Sequence, residues 1–105
     1  MIRENEPSIP DEDTTIPELP SFGLLMQRAR DTADYSIERA AMATRISANF
    51  IEALEREDFK TLPGVIFGRG FIRNLAKTYS CDSKPLIEAY DIAVNRALGT
   101  EQEAA

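Results

Sequence analysis

Apolar residues recur with the period of an α-helix in five segments between residues 22 and 98. The first two segments follow residues that can cap the first turn of a helix, Ser21 and Ser36, and the third segment begins at Ser47. No segment shows the two-residue alternation of a β-strand. The pattern therefore predicts an all-α domain of five short helices.

Proline, glycine and aspartate mark the boundaries of the last two helices. Pro63 and Gly64 interrupt the apolar pattern, and we expect the fourth helix over about Val65–Ser80. Asp82 is expected to cap the fifth helix. The buried stripe predicted for the fifth helix is Ile87, Tyr90, Val94 and Leu98.

The second and third segments, residues 36–56, have the spacing of a helix-turn-helix unit. Ala40 and Ala41 are small enough to let two helices cross closely, and Ile46 follows the tight turn between them. The predicted fold is therefore a compact five-helix, helix-turn-helix domain of the Xre or lambda-repressor type.

The stretch Leu62–Arg73, which holds most of the fourth segment, is more apolar than one buried stripe requires. Phe67 and Phe71 lie four residues apart, so they share a helical face that differs from the core stripe. Gly68 and Gly70 each cost about 1 kcal/mol relative to alanine inside a helix. Both glycines therefore predict close packing of this helix against its neighbours.

Charge is concentrated at the two ends of the sequence. Residues 1–21 carry six acidic side chains and one arginine, whereas residues 22–98 carry ten acidic and eleven basic side chains. Residues 1–20 also hold four prolines, a composition that favours disorder. We expect a disordered acidic tail over 1–20, the domain over 21–98, and a short acidic tail over 99–105.

The composition gives no support to catalysis. The sequence has no histidine, one cysteine (Cys81), no phosphate-binding loop and no cluster with metal-ligand spacing. We therefore expect no enzymatic activity, no cofactor and no metal. A single cysteine fits a reducing compartment, and no signal peptide or membrane-spanning apolar run is visible, so we expect a cytoplasmic protein.

The third helix has unfavourable chemistry for reading DNA. Its candidates for contact with a major groove are Ala48, Asn49, Glu52 and Ala53. Of these, Asn49 can read a base, whereas Glu52 repels phosphate; Arg39 and Arg45 near the turn could touch a phosphate backbone. The alternative is a structural helix with a solvated acidic end formed by Glu55, Glu57 and Asp58.

Motifs within Phe22–Tyr90, about two-thirds of the chain, resemble the cytoplasmic helix-turn-helix domain of the RodZ family of bacterial cell-shape proteins. The matching stretches are Phe50–Glu55, Asp58–Phe59, Leu62–Gly64, Phe67–Arg73 and Leu86–Tyr90. The block from Leu-Pro-Gly to Arg-Gly-Phe is the specific part, because family members carry an aromatic, any residue, Arg-Gly-Phe, an aliphatic and Arg there.

The resemblance implies a non-enzymatic adaptor that binds MreB, the bacterial actin, and links its filaments to the membrane-spanning wall-synthesis machinery. In the family, two aromatic residues one turn apart on the fourth helix make the contact, and they match Phe67 and Phe71. Arg69 and Arg73 on the same helix are candidates for pairing with acids on the filament. The alternative for Phe67 is packing beneath the fifth helix or the start of the first.

RodZ-like proteins continue into a basic stretch and one transmembrane helix, whereas this sequence ends at Ala105 after Glu-Gln-Glu. It fits either a cytoplasmic fragment held at the inner face of the membrane or a free-standing form, with membrane contact only through a segment absent from it. The alternative function is sequence-specific DNA binding by an Xre-type regulator, through Arg39, Arg45 and Asn49.

Overall fold

Five α-helices and one short 3-10 helix form the computed structural model, which describes residues 20–104 and the side chains of residues 20–99. In chain order they are α1 (Phe22–Thr32), α2 (Ile37–Thr44), α3 (Ala48–Arg56), the 3-10 helix (Phe59–Thr61), α4 (Val65–Tyr79) and α5 (Ser83–Ala104). The all-α prediction is confirmed. The acidic tail expected over 1–20 lies outside the described residues, apart from Pro20.

Capping side chains fix where the helices begin, as the sequence predicts. The hydroxyls of Ser21, Ser36 and Ser47 accept hydrogen bonds from the N–H groups of Leu24, Arg39 and Asn49 at 3.3, 3.0 and 3.2 Å, respectively. A carboxylate oxygen of Asp82 accepts from the N–H of Lys84 at 3.0 Å. Each acceptor satisfies an N–H group that has no partner within its own helix.

Helices α2 and α3 form the predicted helix-turn-helix. Ala40 is fully buried, and Ile46 is buried directly after the turn. The Thr44 hydroxyl donates to the Ala40 carbonyl at 2.7 Å and accepts from the Ile46 N–H at 3.2 Å. Arg45 ends α2 in the left-handed conformation, with φ of 63°. These bonds satisfy the backbone as the chain reverses between the two helices.

Three aromatic rings join α1, the 3-10 helix and α5, and they position the start of α4. Phe22 and Phe59 each contact Tyr90 edge-on, at centroid distances of 5.3 and 5.6 Å. The Tyr90 hydroxyl donates to the Val65 carbonyl at 2.5 Å, and its ring lies against Gly68, where an added Cβ would overlap it. The close packing predicted at Gly68 is therefore confirmed.

The expectation of a solvated acidic end of α3 is wrong for Glu55 and Glu57, whereas Asp58 is exposed. Glu55 forms an ion pair with Arg30 of α1, with N–O distances of 2.7 and 3.1 Å, and the two side chains are only 10% and 13% exposed. A carboxylate oxygen of Glu57 accepts a hydrogen bond from the Gly23 N–H at 2.9 Å. A carboxylate oxygen of Asp58 accepts one from the Thr61 hydroxyl in the 3-10 helix at 2.7 Å. Glu55 and Glu57 thus attach α3 to α1.

Helix α5 buries Leu86 and Tyr90, whereas Ile87 and Val94 are half-buried. The predicted stripe did not include Leu86, which is buried one residue before the half-buried Ile87. The helix runs past residue 98, so the boundaries predicted at 21–98 and 99–105 stay a prediction. Among residues 20–104, no helix combines the length and the apolar character that crossing a membrane needs.

Candidate protein-binding site

Helix α4 has a buried face and an exposed face. Its buried residues are Gly68, Ile72, Leu75, Ala76 and Tyr79. The opposite side, called the outer face of α4 below, consists of the exposed residues Ile66, Phe67, Gly70, Arg73, Asn74 and Lys77. With 3.6 residues per turn, Gly70 lies near the middle of this outer face.

Two large apolar side chains are exposed at the start of α4. Ile66 is 71% exposed and Phe67 is 54% exposed. The alternative in which Phe67 packs beneath α5 or the start of α1 is therefore wrong. The sequence analysis missed Ile66, although it lies off the core stripe and seven residues before Arg73, a spacing that places both on the outer face.

Phe71 is only half-buried, and α3 supports it. Its ring stacks on Phe50 at a centroid distance of 5.7 Å and an interplanar angle of 17°. The two predicted contact residues therefore differ: Phe67 extends into solvent, whereas Phe71 is braced against the helix-turn-helix. Asn74 adds a second link, since its side-chain amide donates to the Thr44 carbonyl at 3.2 Å.

The two predicted arginines lie on different sides of α4. Arg69 faces α5 and pairs with Asp91, with N–O distances of 2.9 and 3.0 Å. Successive residues are rotated by about 100°, so Arg69 lies on the opposite flank from Phe67 and Phe71. Arg73 is exposed on the outer face and has no ion pair or hydrogen bond to the other residues described. The structure thus does not bring all four residues onto one surface.

The predicted close packing at Gly70 is wrong. A Cβ added there would have no atom within 4 Å, apart from those of its own helix backbone and chain neighbours. No glycine within the described range lies in the left-handed region of φ, so backbone conformation does not require glycine here either. Gly70 leaves a bare strip of helix backbone in the middle of the outer face.

The residues predicted as candidate DNA contacts also differ in their surroundings. Arg45 and Asn49 are exposed at the turn and at the start of α3. Arg39 is exposed as well, but its guanidinium donates to the Asp34 carbonyl at 3.2 Å and lies 4.9 Å from the Tyr35 ring centroid. Ala53, expected as a groove contact, is buried, so that part of the expectation is wrong.

An apolar cavity of about 390 Å³ lies between α1 and the α4–α5 turn, and its lining includes Leu25, Tyr79 and Cys81. Burial raises the pKa of Tyr79 to about 12 and also raises the pKa of the Cys81 thiol. Both groups therefore stay protonated near neutral pH. Among the described residues, no three His, Cys, Asp or Glu side chains are grouped so that they could hold a metal ion.

Comparisons with known proteins match this architecture. Residues 25–86 match the family described as "Helix-turn-helix domain". The cytoskeleton protein RodZ of Streptococcus pneumoniae is 28% identical over 71 residues, which cover 68% of this chain but only 26% of that protein. The chain thus spans about a quarter of this relative's length.

A solved structure gives a similar result for the fold. YmfM of Staphylococcus aureus, described as a candidate DNA-binding membrane protein, superposes with a TM-score of 0.64 at 22% identity. The match covers 70% of this chain and 90% of that one. At this identity the likeness establishes a shared helix-turn-helix fold.

Proposed function

The chain belongs to the helix-turn-helix domain family and is RodZ-like, and from that premise we propose that it is a non-enzymatic adaptor that binds the bacterial actin MreB. In this role it links MreB filaments to the machinery of cell shape and wall synthesis. The observation that carries the proposal is the exposure of Phe67, at 54%, outside the core of α4. Among the described residues, Phe67 belongs neither to the buried core nor to the partly buried side chains that pack against it.

The surroundings of Phe67 support a protein partner. Large exposed apolar side chains beside an arginine are typical of binding hot spots. Ile66 adds apolar area, and Arg73, which has no ion pair with another described residue, supplies a cation on the same outer face. Phe71 contributes from the edge of this face, held by its stacking on Phe50. We therefore propose Phe67 as the main anchor, with Phe71 and Arg73 beside it.

We propose a different role for Arg69, which already has a partner on α5. Its guanidinium is bound to Asp91, so this ion pair has to open before Arg69 contacts a filament. We propose that its first effect is to hold α5 against α4. An exposed pair of this kind contributes little to stability, which makes such opening inexpensive.

The setting of the domain follows from the same proposal. We place it in the cytoplasm, where MreB filaments lie along the inner face of the membrane. Any attachment to the membrane would come through a segment outside these 105 residues. The relative's much greater length leaves room for such a segment in proteins of this kind.

Co-sedimentation with purified MreB tests the proposal. The full chain should pellet with filaments, and Phe67→Ala should reduce its affinity about tenfold or more, because it removes the exposed anchor. Met42→Ala is a matched control, since Met42 is an exposed apolar side chain, at 81%, that belongs to α2 and not to the outer face of α4. Equal pelleting of wild type and Phe67→Ala would contradict the site, and no pelleting of the wild type would contradict the function.

A second candidate function is DNA binding by an Xre-type regulator. The exposed Arg45 and Asn49 at the helix-turn-helix favour it, and so does the fold shared with a candidate DNA-binding protein. Such binding should shift duplex DNA with a strong dependence on salt, and Asn49→Ala should weaken it. Absence of any shift at low salt would eliminate this candidate.

A further inference from the structure

Gly70 is a glycine that the described domain does not need. Gly23 and Gly68 have internal reasons, because an added Cβ would overlap the Glu55 carbonyl in one case and the Tyr90 ring in the other. Gly70 has neither a close neighbour nor a positive φ. It lies inside a 15-residue helix, where alanine would make the helix more stable. Nothing within the described residues compensates for that loss.

The residues around Gly70 form a specific chemical arrangement. Ile66 and Phe67, one turn before it, are exposed apolar side chains. Arg73 and Lys77, one and two turns after it, are exposed cations with no ion pair to any residue in the described range. Helix α4 itself contains no carboxylate. Bare backbone thus lies between an apolar end and a cationic end of one helix face.

We infer that Gly70 is a close-approach point, at which backbone of a protein partner lies directly against α4. The partner surface would offer an apolar hollow to Ile66 and Phe67, and carboxylates to Arg73 and Lys77. A side chain at Gly70 would hold the two backbones apart and lift the flanking groups from their partners. The inference rests on the proposed function, in which the partner is the MreB filament, and it adds the side of α4 that meets the filament.

The apolar end of this face favours a protein over a nucleic acid. Phosphate backbones attract cations but offer no surface that buries an isoleucine and a phenylalanine. Protein interfaces, in contrast, place aromatic and aliphatic anchors at their centre and charged pairs around them. Arg73 and Lys77 then complement an acidic rim on the partner.

One substitution tests the inference, because it should make the domain more stable and its binding weaker. Gly70→Ala should raise the melting temperature of the 105-residue chain by about 4 °C or more, because alanine favours the helix. The same substitution should weaken binding to purified MreB filaments at least tenfold. Gly99→Ala on α5 is the matched control, since its Cβ would meet only Asn95 at an ordinary 3.7 Å. It should preserve or raise the melting temperature and change affinity less than twofold.

The charged end is tested separately. Arg73→Gln and Lys77→Gln should each weaken filament binding about threefold and reduce its dependence on salt, because each removes one cation from the face. Unchanged affinity in Gly70→Ala, together with a loss in Phe67→Ala, would overturn the close-approach point while leaving the proposed function intact. Failure of the wild type to bind filaments would instead overturn the proposed function.

Two other occupants of this face give distinct outcomes. If duplex DNA binds the wild type at 150 mM salt and the two glutamine variants abolish that binding, the face serves phosphate and the inference is wrong. If the chain sediments as a dimer that Gly70→Ala dissociates, the occupant is a second copy, and the assignment to a filament is wrong. A monomer that binds filaments and loses that binding in Gly70→Ala supports the inference.

Discussion

The Tyr90 ring packs directly against Gly68, and this contact positions α4, the helix that carries the candidate site. The Tyr90 ring occupies the space where a Cβ of residue 68 would lie, and its hydroxyl binds the Val65 carbonyl at the first turn of α4. Gly68→Ala should therefore lower the free energy of unfolding by about 1–3 kcal/mol, despite the better helix propensity of alanine. Urea denaturation measures this, and a stabilised Gly68→Ala would contradict the observed packing.

Tyr79 makes the stability of the domain sensitive to alkaline pH. Burial raises its pKa to about 12 from an ordinary value of 10, so the folded state retains the hydroxyl proton longer than the unfolded state does. The stability that the protonated Tyr79 hydroxyl contributes is fully present below pH 10 and is lost as the pH rises toward 12. The free energy of unfolding should fall by an amount on the order of 2 kcal/mol over this range because of Tyr79 alone.

Tyr79→Phe isolates this effect from the other groups that titrate at high pH. The Tyr79 hydroxyl is buried and has no hydrogen-bond partner among the described residues, so its removal should not lower stability at pH 7. The difference in stability between variant and wild type should then increase from pH 10 to 12. Parallel stability curves for the two proteins would show that Tyr79 does not carry the dependence.

Local signals in the sequence predict some residue roles, and distant partners determine others. Ser21 and Ser36 were predictable as caps because each acts on a backbone N–H three residues away. The partners of Glu55 and Glu57 are 25 and 34 residues away, so no spacing rule indicates them. Those carboxylates were therefore misinterpreted as a solvated helix end.

At the scale of the element, α4 distinguishes its two phenylalanines. Phe71→Ala should lower the free energy of unfolding by about 2 kcal/mol, because the ring is half-buried and stacks on Phe50. Phe67→Ala should change it by less than about 0.5 kcal/mol, because that ring is mostly in solvent. Thermal or urea unfolding of the two variants checks the difference, and similar losses of stability would contradict the assigned packing.

The sequence predicts the helices of this fold better than their exposed faces. The apolar period predicts the five α-helices, and Pro63 with Gly64 predicts the break before α4. The 3-10 helix at Phe59–Thr61 was missed, since three residues are too few to show a period. The surplus apolar surface of α4 was visible in the sequence, but its division into exposed Phe67 and supported Phe71 depends on where Phe50 of α3 lies.

At the scale of the whole molecule, the Arg30–Glu55 ion pair connects the first helix to the helix-turn-helix. Arg30 also donates to the Tyr35 carbonyl at 2.9 Å, so one guanidinium holds α1, the α1–α2 connection and α3 together. The hydrogen bond to Glu55 raises the pKa of Arg30, which remains charged. Glu55→Ala leaves that charge nearly buried, with the exposed Asp31 carboxylate at 3.7 Å as its remaining counter-charge.

Glu55→Ala should accordingly lower the free energy of unfolding by about 3 kcal/mol. Denaturant unfolding measures the loss, and Glu88→Ala is a matched control on an exposed site of α5. The loss should change little between 50 and 500 mM salt, because the pair is shielded from solvent. A loss below about 1 kcal/mol would indicate an ordinary surface ion pair.

We propose that the domain binds an MreB filament through the outer face of α4, and the affinity of Phe67→Ala tests this proposal most directly. Equilibrium co-sedimentation with purified MreB gives this affinity, and an unfolding curve on the same sample verifies that the variant is folded. We expect the wild type to bind and a fully folded Phe67→Ala to bind at least tenfold more weakly. Equal binding by the two proteins, or no binding by the wild type, would contradict it.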